Sequence, residues 1–276
     1  MDAQTDLIFD IGVNKGEDTA FYLAKGFRVV GVEANPSIYQ TLAEKFEKEV
    51  SSGQLVLLNQ GVWSEATTLQ FYSNLDNDHW SSFDPAYGCR QGTRYEVMLV
   101  NCLTIDQLIE AHGVPRYMKI DVEGADRKII EGLAISQVRP SFLSIEEYGL
   151  EAIDALQAVG YDRFQMVPQR DKSKAIPPNP SREGNYVFQK FSGYDSGLFG
   201  RELPNDWLDF DQARLEFQQS VRTQDGRFVG PEYEWFDIHA TTVNQLSGQA
   251  EDASKWWQRL WHGVASRGQQ PMAEVA

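Results

Sequence analysis

Cysteine is scarce: Cys89 and Cys102 are the only two in 276 residues, and neither belongs to a C-x-x-C pair. That excludes a disulfide framework, and it fits two free thiols in a reducing compartment. Positive charge is also short. Lys and Arg number 25 against 40 Asp and Glu, giving a formal net charge of −15 and a pI near 4.7. Nonspecific nucleic-acid binding is driven by cationic side chains that displace counterions, so no nucleic-acid partner is expected and small neutral or cationic substrates are favoured. No apolar run approaches the length needed to cross a bilayer, and Met1 to Asp6 is polar and acidic rather than a basic-then-apolar leader. The expectation is a soluble cytoplasmic protein with no membrane span. Internal repeats are absent too. Hydrophobic residues make up 42% of the chain, enough to bury one good core.

What is present concentrates first between Leu7 and Pro36. Leu7 to Phe9 reads as a buried parallel strand, followed by the turn Asp10-Ile11-Gly12-Val13-Asn14-Lys15-Gly16-Glu17, a helical segment, and a second strand, Arg28 to Val32, closing on Glu33. Gly12 and Gly16 allow the turn to bring its backbone close to a ligand. An acid at the end of the second strand can accept both hydroxyls of a ribose. The dinucleotide fingerprint G-x-G-x-x-G is missing, however, because no glycine at position 14 opens room for a pyrophosphate. Asp10 and Glu17 place negative charge near the turn instead. That repels phosphates and suits a ligand with ammonium and sulfonium groups, of which S-adenosylmethionine (SAM) is one.

Strands and helices then alternate. Pro36 opens a helix on which Ile38, Leu42, Phe46 and Val50 recur at helical spacing, and Leu55 to Leu58 is a third strand. Leu69 to Tyr72 and Tyr95 to Val100 look extended, with Ser73 to Arg94 between them as an irregular excursion over a site. Thr104 caps a helix through Glu110. Tyr117 to Ile120 and Ser141 to Ile145 are strands, each followed by a helix, Asp126 to Leu133 and Glu151 to Val159. This order requires right-handed crossovers and a mostly parallel sheet covered on both faces. Phe164 to Val167 and Tyr186 to Gln189, joined by a Pro-rich loop, are expected to pair antiparallel at the sheet edge. After Lys190 the alternation stops, and five of the seven tryptophans lie in this last part, three of them (Trp256, Trp257, Trp261) at helical spacing. The expected domains are 1–190, the catalytic sheet, and 191–276, an irregular aromatic extension packed on the domain or on a second subunit, which leaves a homo-oligomer open.

Ligands of an open parallel sheet bind beyond the carboxyl ends of its strands, where the strand order reverses. The strand ends carry Asp10, Glu33, Asn59-Gln60-Gly61, Asp121-Val122-Glu123-Gly124 and Glu146-Glu147. Asp121, Glu123, Glu146 and His79 are candidate bases or hydroxyl-orienting groups. His79 can equally be a surface histidine, and Glu123 a helix cap. Asp121, Glu146 or Glu147 with His79 could bridge a divalent metal, but no tight ligand spacing marks such a site, and no metal ligand is assigned.

Three segments carry a family resemblance: Val100-Asn101-Cys102-Leu103-Thr104-Ile105-Asp106, Met118-Lys119-Ile120-Asp121-Val122-Glu123-Gly124-Ala125-Asp126, and Ile130-Glu131-Gly132. They closely resemble the FkbM-type family of SAM-dependent methyltransferases, with K-I-D-V-E-G as the most specific signature, and the likeness covers roughly residues 6 to 190. It implies a class I (Rossmann-like) α/β fold, a seven-stranded, mostly parallel sheet with a terminal antiparallel strand. The implied activity is O-methylation of a hydroxyl on a sugar, glycolipid, polyketide or similar small metabolite. Carried over, the resemblance puts Gly12, Asn14 and Gly16 against the methionine part of SAM with Asp10 and Glu17 nearby. Glu33 takes the ribose, Ala34 and Asn35 flank the adenosine, and Gln60, Gly61 and Val62 approach the adenine. Asp121 faces the sulfonium or the acceptor, and Ser82 is a further cofactor candidate. Two other readings remain at this stage, an NAD-dependent oxidoreductase and a SAM-binding protein without catalysis.

Overall fold

A computed structural model of the chain describes residues 3–136, 138–170, 172, 174–229 and 234–247. Trp256, Trp257 and Trp261 lie outside the described residues. The first half comprises β1 (Gln4–Ile11), α1 (Glu17–Ala24), β2 (Arg28–Val32), α2 (Pro36–Lys45), α3 (Glu47–Ser52), β3 (Leu55–Leu58), β4 (Gly61–Val62), β5 (Thr67–Asn74), α4 (Pro85–Gly88) and β6 (Tyr95–Leu103). There follow α5 (Ile105–His112), β7 (Pro115–Ile120), α6 (Asp126–Ser136), β8 (Phe142–Glu146), α7 (Glu151–Val159), β9 (Arg163–Pro168), α8 (Phe210–Ser220) and β10 (Phe236–Thr241). Local chemistry sets several boundaries. Asn35 accepts from the Ser37 N–H to start α2, and Thr104 with Gln107 forms a reciprocal capping box on α5.

Seven strands form one sheet in the order β3-β2-β1-β7-β8-β10-β9. β3, β2, β1, β7 and β8 pair in parallel, and β10 runs antiparallel to both β8 and β9. This is the class I methyltransferase sheet expected from the sequence. Helices cover both faces, so β1 buries Leu7, Ile8, Phe9 and Ile11 without alternation. The chain moves outward one way from β1 to β3 and the other way from β7, which makes the β1–β7 seam the switch point. A second, three-stranded sheet, β4-β6-β5, holds the 73–94 excursion at the tip of its antiparallel β5–β6 hairpin.

The antiparallel strand is not the one expected. Tyr186 and Phe188 are exposed and 186–189 forms no strand, whereas Phe236–Thr241 enters the sheet with Ile238 and Ala240 fully buried. The segment before Tyr186 is pulled elsewhere. Glu183 accepts two bonds from the Arg116 guanidinium, at 2.6 and 2.8 Å, and the Asn185 N–H donates to the Lys25 carbonyl. Both anchors lie at the end of the sheet opposite the strands' carboxyl termini. β10, the last strand of the described chain, lies between β8 and β9, so the sheet edge is β9 and not the antiparallel strand.

The start of the extension after residue 190 packs on the sheet domain of its own chain. Phe191, Leu198, Phe199 and Leu203 share a core with Phe21, Tyr22, Phe27 and Tyr117, and the Phe199 ring stacks on Tyr117 at 4.7 Å. A fully buried ion pair, Lys25 Nζ to Glu202 Oε1 at 3.0 Å, fixes the same segment to the end of α1. The single helix expected from Ile38 to Val50 is broken at Phe46, where φ is −110°. Phe46 turns inward under the Gly16 turn and leaves Val50 41% exposed, so the helical spacing there does not mark one buried face.

Candidate functional site

At the switch point the sheet opens into a cleft of about 1190 Å³. The Gly12 N–H donates to the Val32 carbonyl at 3.0 Å and the Asp121 N–H to Ile11 at 3.0 Å, so three strand ends are locked together at its base. A Cβ at Gly12 would collide with the Asp121 carbonyl, and its φ is +88°. The glycine is thus required by the neighbouring strand. Asn14 follows with φ +48° and sends its N–H to Glu33 Oε2 at 2.9 Å, while the Asn35 N–H donates to Glu33 Oε1 at 2.7 Å. Burial pushes the Glu33 carboxyl up to about 7 against the pull of these two N–H groups. The Asn14 Oδ1 is buried with no partner and Asn14 lines the cleft, so it is an acceptor available to a bound donor.

Gly12, Asn14, Glu33, Ala34, Gln60, Gly61, Val62, His79, Asp121, Glu123 and Glu146 all line this one cleft. Five candidates do not. Asp10 is fully buried behind the turn, where Thr19 Oγ1 donates to it at 2.5 Å and Lys119 Nζ lies 3.6 Å away. Burial raises its carboxyl to about 6 although Lys119 opposes the shift. Gly16 (φ +76°) starts α1, and a Cβ there would press on Leu42 and Phe46, so packing and not ligand clearance requires it. Glu17 belongs to the first turn of α1 outside the lining. Asn35 is buried as the α2 cap, its Nδ2 donating to Ser73 Oγ at 2.9 Å. Ser82 is buried and donates to the Glu123 carbonyl at 2.6 Å, tying the excursion to the strand end instead of meeting the cleft.

Three lysines and arginines went unassigned in the sequence. Lys119 sits inside the apolar strand β7, 4% exposed, with Asp121 at 3.2 Å, Asp10 at 3.6 Å and Asp18 at 3.7 Å. Burial works against its charge, but Asp121, Asp10 and Asp18 hold the ammonium well above its usual value. A lysine in the middle of an apolar run was the available signal, because such a charge must be paired. Lys172 donates to the Asp195 carbonyl, and burial lowers its ammonium against the pull of Asp237 and Asp18. Arg90 lies over the Trp80 ring at 4.5 Å and donates to Glu123 Oε2 at 2.8 Å.

The far wall is a group of acids. Asp237 on β10 stands directly opposite Glu146 on β8. Burial lifts Glu123 to about 8 despite Arg90, and Asp237 to about 8 despite Lys172. Burial, with Glu123 and Asp121 nearby, holds Glu146 well above the carboxylate range. Near neutral pH such carboxyls are mostly protonated, and the ionised fraction is a stronger base than an ordinary carboxylate. His79 is across the cleft, stacked on Tyr194 at 5.7 Å, on a turn that Lys15 bridges through Asp78 at 3.0 Å. Glu147 faces away and is gripped by Arg222 at 2.7 Å. Asp121, Glu146, Glu147 and His79 are therefore not gathered, and among the described residues no three His, Cys, Asp or Glu side chains form a metal-holding group.

Residues 10–163 match the Methyltransferase FkbM domain family. The chain is similar to the hexuronic acid methyltransferase AglP of Haloferax volcanii, 25% identical over 150 residues, 52% of this chain and 56% of that protein. It thus spans about half the length of the curated relative it matches. Among solved structures it is similar to a methyltransferase FkbM from Methylobacillus flagellatus KT, 20% identical over 54% of this chain and 34% of that one, with a TM-score of 0.36. It is also similar to the glycopeptide N-methyltransferase MtfA complexed with SAM, at 10% identity, 87% and 82% coverage and a TM-score of 0.32. Superpositions this loose carry no argument. The family match does, since it takes in more than half of the 276 residues and runs from Asp10 through every strand end at the switch point. The chain belongs to the FkbM methyltransferase family.

Proposed function

We propose that the cleft binds SAM and that the chain transfers a methyl group to a hydroxyl oxygen of a small acceptor such as a sugar. The observation that carries this reading is Glu33, a buried carboxylate at the end of β2 whose two oxygens are fixed by the Asn14 and Asn35 N–H groups beside the cleft. A carboxylate so held keeps lone pairs for the two hydroxyls of a ribose. The unpartnered Asn14 Oδ1 suits the ligand's ammonium. Ala34, Gln60, Gly61 and Val62 flank the base, and the acidic rim favours a cationic ligand over a pyrophosphate.

When bound, SAM supplies an electrophilic methyl carbon on a sulfonium. The chain's own part is to align the acceptor oxygen with that carbon and to take the hydroxyl proton. Asp121, held by Lys119 at 3.2 Å and open to the cleft, orients the groups at the reacting centre. Burial raises the carboxyls of both Glu146 and Glu123, with Glu123 adding to the shift at Glu146, and whichever of the two is ionised takes the proton. Their placement across the cleft from Glu33 favours a hydroxyl acceptor, whose proton must be removed as the bond forms. His79 contributes a wall.

Calorimetric titration with S-adenosylhomocysteine (SAH) and with NAD tests the cofactor. SAH is expected to bind and NAD not, and Glu33→Ala should weaken SAH by about 1.5 to 3 kcal/mol, the range for a lost charged hydrogen bond. Wild-type affinity in Glu33→Ala removes the ribose role. The carbon chemical shift of a methyl group transferred from labelled SAM separates attachment to oxygen from attachment to nitrogen.

A further inference from the structure

Past Glu123 and Glu146 lies a second cavity of about 730 Å³. Arg90, Glu123, Glu146, Phe228 and Trp235 line both spaces, so the two adjoin along the acid wall. The second cavity adds polar atoms that have no partner in the fold. Asp126 is 2% exposed, yet its Oδ1 has no hydrogen-bond partner, and the Tyr148 hydroxyl is equally unpaired. Buried polar atoms are nearly always satisfied, so two unpaired ones on residues that line the same cavity point to partners supplied from that cavity. The Tyr87, Tyr148 and Trp235 rings offer apolar faces beside them.

Charge narrows the ligand. Three arginines line this cavity, and each is already committed: Arg90 to Glu123 at 2.8 Å, Arg127 to Glu131 at 3.1 Å, and Arg222 to Glu147 at 2.7 Å. Asp126 and Glu146 have no cation paired with them among the described residues. A carboxylate or phosphate entering here would lose its water and find no uncommitted positive charge to replace it, which costs binding. Hydroxyl groups, which both donate and accept, match Asp126 Oδ1 and the Tyr148 hydroxyl.

The geometry points to this second cavity as the acceptor's subsite, shaped for an uncharged polyhydroxylated ring in preference to a uronate or a phosphorylated sugar. Asp126 and Tyr148 hold the distal hydroxyls, an aromatic face covers the ring, and the reacting hydroxyl passes between Glu123 and Glu146 into the cleft. The inference rests on the reading of the first cleft as the SAM site.

The test is ligand-observed NMR on the full chain with methyl glucoside and with glucuronate, each with and without SAH, alongside calorimetric SAH titration. Gln218 is half-buried on α8 and lines the second cavity only, so Gln218→Trp fills that cavity without touching the cleft. Methyl glucoside is expected to bind the wild type. Its binding should weaken at least about tenfold in Gln218→Trp and about threefold in Tyr148→Phe, with glucuronate at least about tenfold weaker than the glucoside throughout. SAH affinity should be unchanged in both variants. Glucoside binding that survives Gln218→Trp, glucuronate binding as tight as the glucoside, or no glucoside binding to the wild type each overturns the proposal. Absence of SAH binding to the wild type instead overturns the cofactor reading, so the two fail separately.

Discussion

Glu33 on one side of the cleft and Glu123, Glu146 and Asp237 on the other face the same space but are held in opposite ways. Glu33 is gripped at both oxygens by backbone N–H groups, which fix its position. Across the cleft Glu123 has one arginine, while Glu146 and Asp237 have no side-chain hydrogen bond among the described residues and crowd each other. A backbone-held carboxylate is a rigid acceptor and suits binding. A crowd of desolvated carboxyls cannot all be ionised, so it exchanges protons near neutrality and suits acid–base work. Under the proposed function, recognition and proton transfer are separated by the kind of support each acid receives.

The severest way to break this comparison is to remove one side. Ending the chain after Lys190 deletes β10, and with it Asp237, but it also deletes Phe199 from the core. Loss of one buried phenylalanine costs about 3–5 kcal/mol against a total stability of about 5–15. The truncated chain is expected to show no cooperative thermal transition by circular dichroism. A folded truncation that still binds SAH would mean that the cofactor side stands alone.

A smaller effect probes the seam. Asp121 lies between the two sides, and Asp121→Asn keeps its shape while removing its charge. Turnover followed by SAH release should fall by about a hundredfold, the scale of a lost acid–base or orienting group, with SAH affinity little changed. Near-normal kcat at saturation would move the catalytic role to Glu123 or Glu146.

The smallest effect concerns pH. Burial raises the carboxyls of Asp10 (about 6), Glu33 and Asp126 (about 7), and Glu123 and Asp237 (about 8). Between the unfolded and folded values the native state binds more protons, so stability must fall as pH rises. The window runs from about 4 to about 8. Melting temperature of the ligand-free protein should decline by several degrees across it, and Glu123→Gln should flatten the upper part of the decline. A melting temperature that rises over this window would contradict the protonated acid wall.

The cofactor side was legible because it is local. Gly12, Asn14 and Glu33 lie within one strand-turn-helix-strand unit, and turn chemistry plus the terminal acid identify it. The errors there concern what each residue touches: Gly16 faces Leu42 and Phe46, Asn35 caps a helix, and Ser82 supports Glu123. Spacing indicates that a small or polar residue is needed, but not whether a ligand or a neighbouring element imposes the need. The acid wall was only half legible. Asp121, Glu123 and Glu146 end apolar strands, but Arg90, Lys172 and Asp237 arrive from distant parts of the chain. Asp237 was missed because it lies in the stretch after Lys190 taken as an irregular extension, although the alternation of Phe236, Ile238 and Ala240 with polar residues fits a strand. Adjacency favoured Tyr186 to Gln189 as the partner of β9, and the buried Arg116–Glu183 pair, invisible to local pattern, took that segment away.

The place of β10 also dictates the order in which the molecule can be assembled. During synthesis β9 is made long before β10, yet among the described residues β9 pairs in the sheet only with β10, and β8 keeps one flank open until β10 arrives. The nascent chain therefore exposes an unpaired row of N–H and C=O groups on an apolar strand for the whole interval between residues 168 and 236. Closure is a late, long-range event, and folding of this protein should be slow and concentration-sensitive until residue 241 is free to insert.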